Sequence, residues 1–438
     1  MEWYWMFTAL IGGVLGFMAL GMPVAFSFLV VNLIGAYFVM GGWNGVFQAV
    51  ANSSYSVTTF AFVPIPMFLV VGELFFKTGI ATRVFDSVDQ LLGRIPGRLC
   101  YVTLGVGTIF AALTGSAMAN TAMMGSMMVP EMTQRGYKPH VVMGTIMGAG
   151  GLAILIPPSG LAILLGALAR IDIAALMVGG LIPAAILAAF YFFHVYLQIL
   201  RDPEAAPPYS VPTSPLSTRL VKLVVNVVPT SIVIIIKVGV IVLALATPTE
   251  ASAFGVLGVL ILAACYRVLT WRAVIESLQS ALRGTAMILL IILGSGTFTQ
   301  LLAFSGASEG LVQWATGFDL TPVMMVVAMF LVISFLGLFM DEVSMMMLTL
   351  PVFMPIAIAM HMDLIWLGVV LLMSLEIGLL SPPFGLILFV MKSVAPPGTT
   401  MSDVNRAAVP YMAWQVVLVI MILMYPPVAT WLPSLMAK

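Results

Sequence analysis

Four short stretches set hydrogen-bonding or acidic side chains into otherwise apolar sequence at points where a helix is interrupted. The first is Thr114-Gly115-Ser116-Ala117-Met118-Ala119-Asn120-Thr121. Gly115 permits a turn, while Ser116, Asn120 and Thr121 add side-chain oxygens to carbonyls left unpaired at the broken helix ends. Ser116 and Asn120 are four residues apart and share a helical face. Such a neutral oxygen cage suits a monovalent cation, because a helix C-terminus offers partial negative charge without an ionised group. The competing reading is a close helix contact made of small residues. In the second stretch Gly148, Gly150 and Gly151 precede Pro157-Pro158-Ser159-Gly160. Proline removes donors and frees carbonyls one turn back, and these would complete the cage if they faced the first tip.

The third stretch, Met340-Asp341-Glu342-Val343-Ser344, sets two acids in an apolar run, a functional feature by default in a membrane segment. Asp341 could ligate a cation, or either acid could carry a proton; alternatively both sit in a hydrated vestibule or pair with a base of another subunit. The fourth, Leu375-Glu376-Ile377-Gly378-Leu379-Leu380-Ser381-Pro382-Pro383, adds another acid, a glycine that permits close approach and a hydroxyl beside a second Pro-Pro pair. Lys237 is expected to snorkel or to pair across to a partner. His140, His194 and His361 fall near predicted ends as interfacial residues, and the 33 methionines serve as flexible filler.

The elements that position these stretches follow from composition. Of 438 residues 62% are hydrophobic and 8% charged, with a mean hydropathy of +1.15, far from the ~25% charged residues of a soluble domain. The expectation is an all-α polytopic membrane protein of about ten to thirteen segments, with no room for a soluble enzymatic or nucleic-acid-binding domain. Lys plus Arg equals Asp plus Glu, 17 each, so no overall field recruits nucleic acid, and two cysteines suggest no disulfide framework. The run Trp3 to Leu20 follows no basic n-region and reads as a first helix rather than a cleaved signal peptide.

Basic residues mark the cytoplasmic side. Lys77, Arg83, Arg94 and Arg98 precede the segment 99 to 132, and Arg135 and Lys138 follow it, so both its ends are expected inside. With a polar break at its middle it reads as a re-entrant hairpin. No basic residue lies between Arg283 and Lys392, whereas Glu309, Asp319 and Asp363 fall in loops expected outside, so 320 to 360 reads as a hairpin entering from the opposite face. The N-terminus comes out external.

An internal repeat fits this opposition. Ile156-Pro157-Pro158-Ser159-Gly160-Leu161 matches Ser381-Pro382-Pro383-Phe384-Gly385-Leu386 at an offset of 225, and Pro130 matches Pro355 at the same offset. Inverted repeats with broken helices mark secondary transporters. The expected division is N-terminal scaffold helices at 1–56, a first repeat at 57–200 with hairpin 99–132 and broken helix 141–169, a cytoplasmic Pro-rich linker at 201–220, further scaffold helices and a cytoplasmic arm at 221–284, and a second inverted repeat at 285–438 with hairpin 320–360 and broken helix 364–394.

At these motifs the chain resembles the large membrane (M) subunit of tripartite ATP-independent periplasmic (TRAP) transporters. The resemblance is carried by Gly115-Ser116 to Asn120, Pro130, Arg135-Gly136-Tyr137, Ile156-Pro157-Pro158-Ser159, Met340-Asp341 with Pro351 and Pro355, and Glu376-Ile377-Gly378 with Ser381-Pro382-Pro383-Phe384-Gly385. Ala117, Ser374, Ser381 and Ile387 depart from the family pattern. The resemblance implies a non-enzymatic, sodium-coupled importer of organic acids in a bacterial inner membrane, working by an elevator movement without ATP. It implies two partners, a small four-helix membrane subunit and a periplasmic solute-binding protein. Sodium is expected at Ser116, Asn120, Gly151 and Pro157 on the first break, and at Asp341, Gly378, Ser381 and Pro382 on the second. A carboxylate substrate is expected between the tips, at Gly115, Thr121, Ser159, Glu342, Ser344 and Pro383. The alternative is a stand-alone ion-coupled dicarboxylate or anion carrier of the same general architecture.

Overall fold

The architecture is taken from a computed structural model, in which residues 2–91, 95–208, 215–243 and 245–436 are described. Arg94 and residues 209–214 of the Pro-rich linker, used above for topology, lie outside them. The described residues contain helices and no strand. The chain opens with α1 (Trp3–Ala19), α2 (Val24–Val39) and α3 (Trp43–Val57), followed by α4 (Pro64–Lys77) and α5 (Ile80–Leu91). Next, α6 (Arg98–Thr114) and α7 (Ala117–Gln134) are separated by Gly115 and Ser116 alone, and α8 (Pro139–Gly151) leads through a 3-10 turn at Leu152–Ile154 to the Pro157-Pro158 break and α9 (Gly160–Ala169). Five helices follow: α10 (Ile173–Gly179), α11 (Leu181–Arg201), α12 (Leu216–Val242), α13 (Pro248–Cys265) and the 34-residue α14 (Trp271–Phe304). The chain ends with α15 (Ala307–Thr316), α16 (Pro322–Leu336), α17 (Glu342–Ala359), α18 (Leu364–Leu380), α19 (Leu386–Val394), α20 (Met401–Met424) and α21 (Pro427–Met436). Seven helical stretches are long and apolar enough to cross a bilayer, accompanied by shorter apolar helices, as expected of a polytopic membrane protein.

Helix starts follow ordinary end chemistry. Proline occupies the first turn of α4, α8, α13 and α16, where its missing N–H leaves no bond unmade. Thr247 with Glu250, and Thr400 with Asp403, form capping boxes at the starts of α13 and α20. Three elements differ from the hydropathy reading. α3, α5 and α15 are helices over sequence that supplied no apolar segment, because about half of each is polar and a one-sided apolar stripe is diluted in a window average. The stretch before residue 285, expected as a cytoplasmic arm, is helical from Trp271 and continuous with the rest of α14. Gly180 separates α10 from α11.

Loops that carry basic residues meet at one end of the bundle. The Gly97 N–H donates to Ala206 O, and the Lys138 N–H donates to Ala205 O. Lys138 Nζ reaches Asp202 Oδ2 at 2.6 Å, and this bond holds the Asp202 carboxyl below the usual carboxylate range. Burial pushes His140, beside them, down from its ordinary value. Lys222 donates to Gln90 at 3.0 Å, and Arg83 lies over the Tyr266 ring. Within the bundle Gly144 and Gly148 of α8 leave room for the Tyr411 ring of α20, whose hydroxyl is 3.2 Å from Thr145 Oγ1.

Candidate functional site

The tip between α6 and α7 is built by Gly115, whose φ of 61° is left-handed and favours glycine. Ser116 caps α7 by accepting from the Ala119 N–H, and Ser159 caps α9 by accepting from the Ala162 N–H. The two interruptions touch: the Gly160 N–H donates to Gly115 O at 3.3 Å, and a Cβ on Gly115 would stand 3.0 Å from Pro158 O. The first tip and the first Pro-Pro break therefore form one junction. Both Pro157-Pro158 and Pro382-Pro383 bonds are cis.

Asn120 and Thr121 sit behind this junction, fully buried. The Asn120 amide donates to Gly107 O at 3.1 Å and to Ala149 O at 3.0 Å, tying α7 to α6 and α8. Its Oδ1 accepts nothing, and Thr121 Oγ1 is likewise without a hydrogen-bond partner. Gly150 leaves the space beside Thr121 open: a Cβ there would overlap Thr121 Oγ1 and approach Ala117 O to 3.2 Å. Thr121 Oγ1 and Ala117 O at this glycine, with the unpartnered Asn120 Oδ1 on the adjacent residue, are neutral oxygens of a kind that fits a sodium ion. Thr121, expected at the substrate, lies against α8 at Gly150.

At the second interruption Asp341 caps α17, accepting from the Val343 and Ser344 N–H groups at 3.1 and 3.2 Å and from the Ser344 hydroxyl. Asp341 and Ser344, assigned to different ligands from sequence, thus satisfy one another. Gly378 lies backbone to backbone with Gly337 at the end of α16, where a Cβ on Gly378 would stand 3.0 Å from Gly337 Cα. The Ser381 hydroxyl donates to Ile377 O at 2.7 Å. Pro382 is half-buried and Pro383 exposed, whereas Pro157, Pro158 and Ser159 are all buried. Phe384 beyond them borders a largely apolar cavity of about 570 Å³ with Phe339, Met340 and Leu15.

Between the interruptions lies a polar cluster that joins Gly151 and Glu376, both singled out from sequence, to Gln415 and Tyr191, which were not. Glu376 and Gln415 are fully buried, and a Cβ on Gly151 would stand 2.8 Å from both Glu376 Oε1 and Gln415 Nε2. Neither carboxylate oxygen has a hydrogen-bond partner, and the amide of Gln415 lies beside the buried Tyr191 hydroxyl. Glu342, buried as well, has one unpartnered oxygen. Gln415 was visible as a lone amide in the apolar run of α20, but its neighbours Gly151 and Glu376 are remote in sequence. A second omission is Glu73, an acid inside the α4 segment. With Lys77, Thr114, Ser126 and Ser280 it lines a cavity of about 470 Å³ beside the first tip.

Comparison with known proteins gives these features a family. Residues 11–428 match the model of the DctM component of the tripartite ATP-independent periplasmic transporter. The chain is 27% identical to the sialic acid TRAP transporter permease protein SiaT of Haemophilus influenzae, covering 96% of this chain and 67% of that one. It is 28% identical to the C4-dicarboxylate TRAP transporter large permease protein DctM of Pseudomonas aeruginosa over 86% of each, and 26% identical to the sialic acid large permease protein SiaM of Vibrio cholerae over 97% of each. Among solved structures the fold is similar to that of the Alcanivorax borkumensis YdaH transporter, with a TM-score of 0.67 and 12% identity over 92% of this chain and 98% of that one. It is also similar to Neisseria gonorrhoeae MtrF, with a TM-score of 0.65 and 12% identity over 92% and 94%.

Proposed function

Since this chain belongs to the family of the DctM component of tripartite ATP-independent periplasmic transporters, a family of permeases and not of enzymes, we propose that it is the large permease subunit of a sodium-coupled importer of organic acids. The observation that carries the sodium reading is the junction at the first tip, where Thr121 Oγ1 and Ala117 O face Gly150 and the neighbouring buried Asn120 keeps an oxygen, like Thr121 Oγ1, without a hydrogen-bond partner. Asn120 and Thr121 would hold the ion, with Ser116 and the Pro157 region closing the site. The second ion would sit at Asp341, Gly378, Ser381 and Pro382. The carboxylate substrate lies between the junctions, within reach of Gly115, Ser159 and Glu342. Relatives named for sialic acid and C4-dicarboxylate transport support an organic acid as the class.

The architecture in this reading is a pair of inverted repeats with re-entrant hairpins at α6–α7 and α16–α17. Its support is the recurrence of element order at the offset of the Pro-Pro pairs: α5 to α9 are followed, about 225 residues on, by α15 to α19. The gathering of basic loops at one end supports a cytoplasmic face there. The moving body of an elevator would contain both hairpins and both broken helices, sliding against α2, α4 and α12 to α14. A small four-helix membrane subunit would enlarge that scaffold, and a periplasmic binding protein would deliver the acid in a bacterial inner membrane. Reconstitution tests this directly. Uptake into proteoliposomes should require an inward sodium gradient, the small subunit and the loaded binding protein, and no ATP. Robust uptake of free acid by this chain alone would overturn the tripartite reading in favour of a stand-alone carrier.

A further inference from the structure

Lys237 lies in the middle of α12 and neither snorkels nor pairs with an acid among the described residues. It is fully buried, its Nζ donates to Ala112 O at 3.3 Å, and the ammonium stands 4.3 Å from the centroid of the Phe68 ring in α4. Its stem passes Gly255 of α13, where a Cβ would stand 3.2 Å from Lys237 Cδ. Three helices outside the hairpins therefore enclose one side chain and aim it at the end of α6. Ala112 belongs to the last turn of α6, whose carbonyls have no acceptor role left inside the helix. The Ala111 carbonyl is taken by the Gly115 N–H, and the Ala112 carbonyl is taken by Lys237. This is the negative end of the helix dipole, which a bound cation at the first tip would also use. A buried ammonium with one carbonyl and one aromatic face for company is costly to keep, so its position calls for a role beyond packing.

We infer that Lys237 is a tethered cation: an ammonium carried by the scaffold that occupies the carbonyl end of α6 and opposes sodium binding at the first tip. Withdrawal of the tip from α12 then raises sodium affinity, and by reciprocity bound sodium favours withdrawal. Lys237 is thus a positioning residue that links ion occupancy to movement of the first hairpin, an inference that rests on the sodium reading above.

The test is sodium-dependent thermal stabilisation of the full chain in nanodiscs, titrated against choline at constant ionic strength. Lys237→Met keeps the apolar stem and removes the charge. Its half-saturating sodium concentration should fall about tenfold, the effect of removing a unit charge about two helical turns away at an effective dielectric near 20. Lys237→Arg should stay within about twofold of the parent, because the charge is kept. An unchanged or raised half-saturation in Lys237→Met overturns the inference, since loss of mere packing would weaken sodium binding or leave it alone. Should that variant fail to insert, Lys237→Gln, which also removes the charge and keeps a donor within the side chain, decides with the same sign. A parent that ignores sodium overturns the sodium reading and this inference with it, whereas a responsive parent with an unaltered variant overturns this inference alone.

Discussion

Thr121→Val separates ion binding from stability more cleanly than any other change at the first tip. Thr121 is fully buried and its Oγ1 makes no hydrogen bond, so the side chain bears the desolvation cost of a hydroxyl with no return in the empty site. Leaving such a group unsatisfied costs ~1–3 kcal/mol, and valine replaces it with a methyl of similar shape. The sodium-free variant should therefore unfold within about 1 kcal/mol of the parent, or later. With sodium the balance reverses. A hydrogen-bonding group facing a charge is worth ~1.5–3 kcal/mol, which corresponds to roughly a 10- to 150-fold rise in the half-saturating sodium concentration. Asn120→Ala would blur the distinction, because it also deletes two donor bonds that tie three helices, for a stability loss of ~1–3 kcal/mol. The assay is uptake as a function of sodium, paired with thermal unfolding in sodium-free buffer. A folded Thr121→Val protein with the parent's sodium dependence would refute the assignment, and a stability loss above about 2 kcal/mol would show that the hydroxyl was bonded after all.

Gly378→Ala should lower the unfolding temperature in detergent by forcing α16 and α18 apart, at ~1–3 kcal/mol for overpacking, and an unchanged melting curve would show that the contact yields. Glu376→Gln should be at least as stable as the parent, because it removes a buried carboxylate with two unpartnered oxygens; a clear fall in melting temperature would reveal a hidden counter-charge. Because Lys138 lowers the Asp202 pKa, the pair's contribution is complete above the unfolded aspartate value of about 3.9 and fades as pH falls through the lower folded value. Lys138→Gln should therefore destabilise at neutral pH but not at the acid end, read from unfolding as a function of pH; an equal loss at both ends would assign the effect to packing. Single cysteines at Arg83 and Arg135 should label from the cytoplasm and at Glu250 and Asp363 from outside, in a background lacking the exposed Cys265, and labelling of positions 83 and 135 from opposite sides would refute the first hairpin.

What was legible in sequence was what short-range chemistry dictates. Gly115 announced a turn and Pro157-Pro158 a break, since glycine and proline act on their own backbone. The positions of α6, α7 and α8 followed from them to within a few residues. Amphipathic α5 and α15 were invisible to hydropathy averaging. The uses of hydroxyls were illegible for another reason: Ser381 donates to its own helix at Ile377 and Ser344 to Asp341, so an oxygen counted as a ligand was already engaged. Most remote was the partnership of Lys237 with Ala112, 125 residues away, which no local pattern encodes.

The backbone bonds from Gly97 to Ala206 and from Lys138 to Ala205 have a consequence for the order of assembly. Two adjacent carbonyls hold the beginning of α6 and the beginning of α8, so a strand of chain made late fastens a helix pair made early. Residues 205 and 206 follow α8 to α11 in the chain, so the bonds at the open ends of α6 and α7 can form only after all of these are made. A chain truncated before residue 205 would carry every residue of the first tip without the two backbone bonds that fasten the start of α6 and the start of α8 to one place.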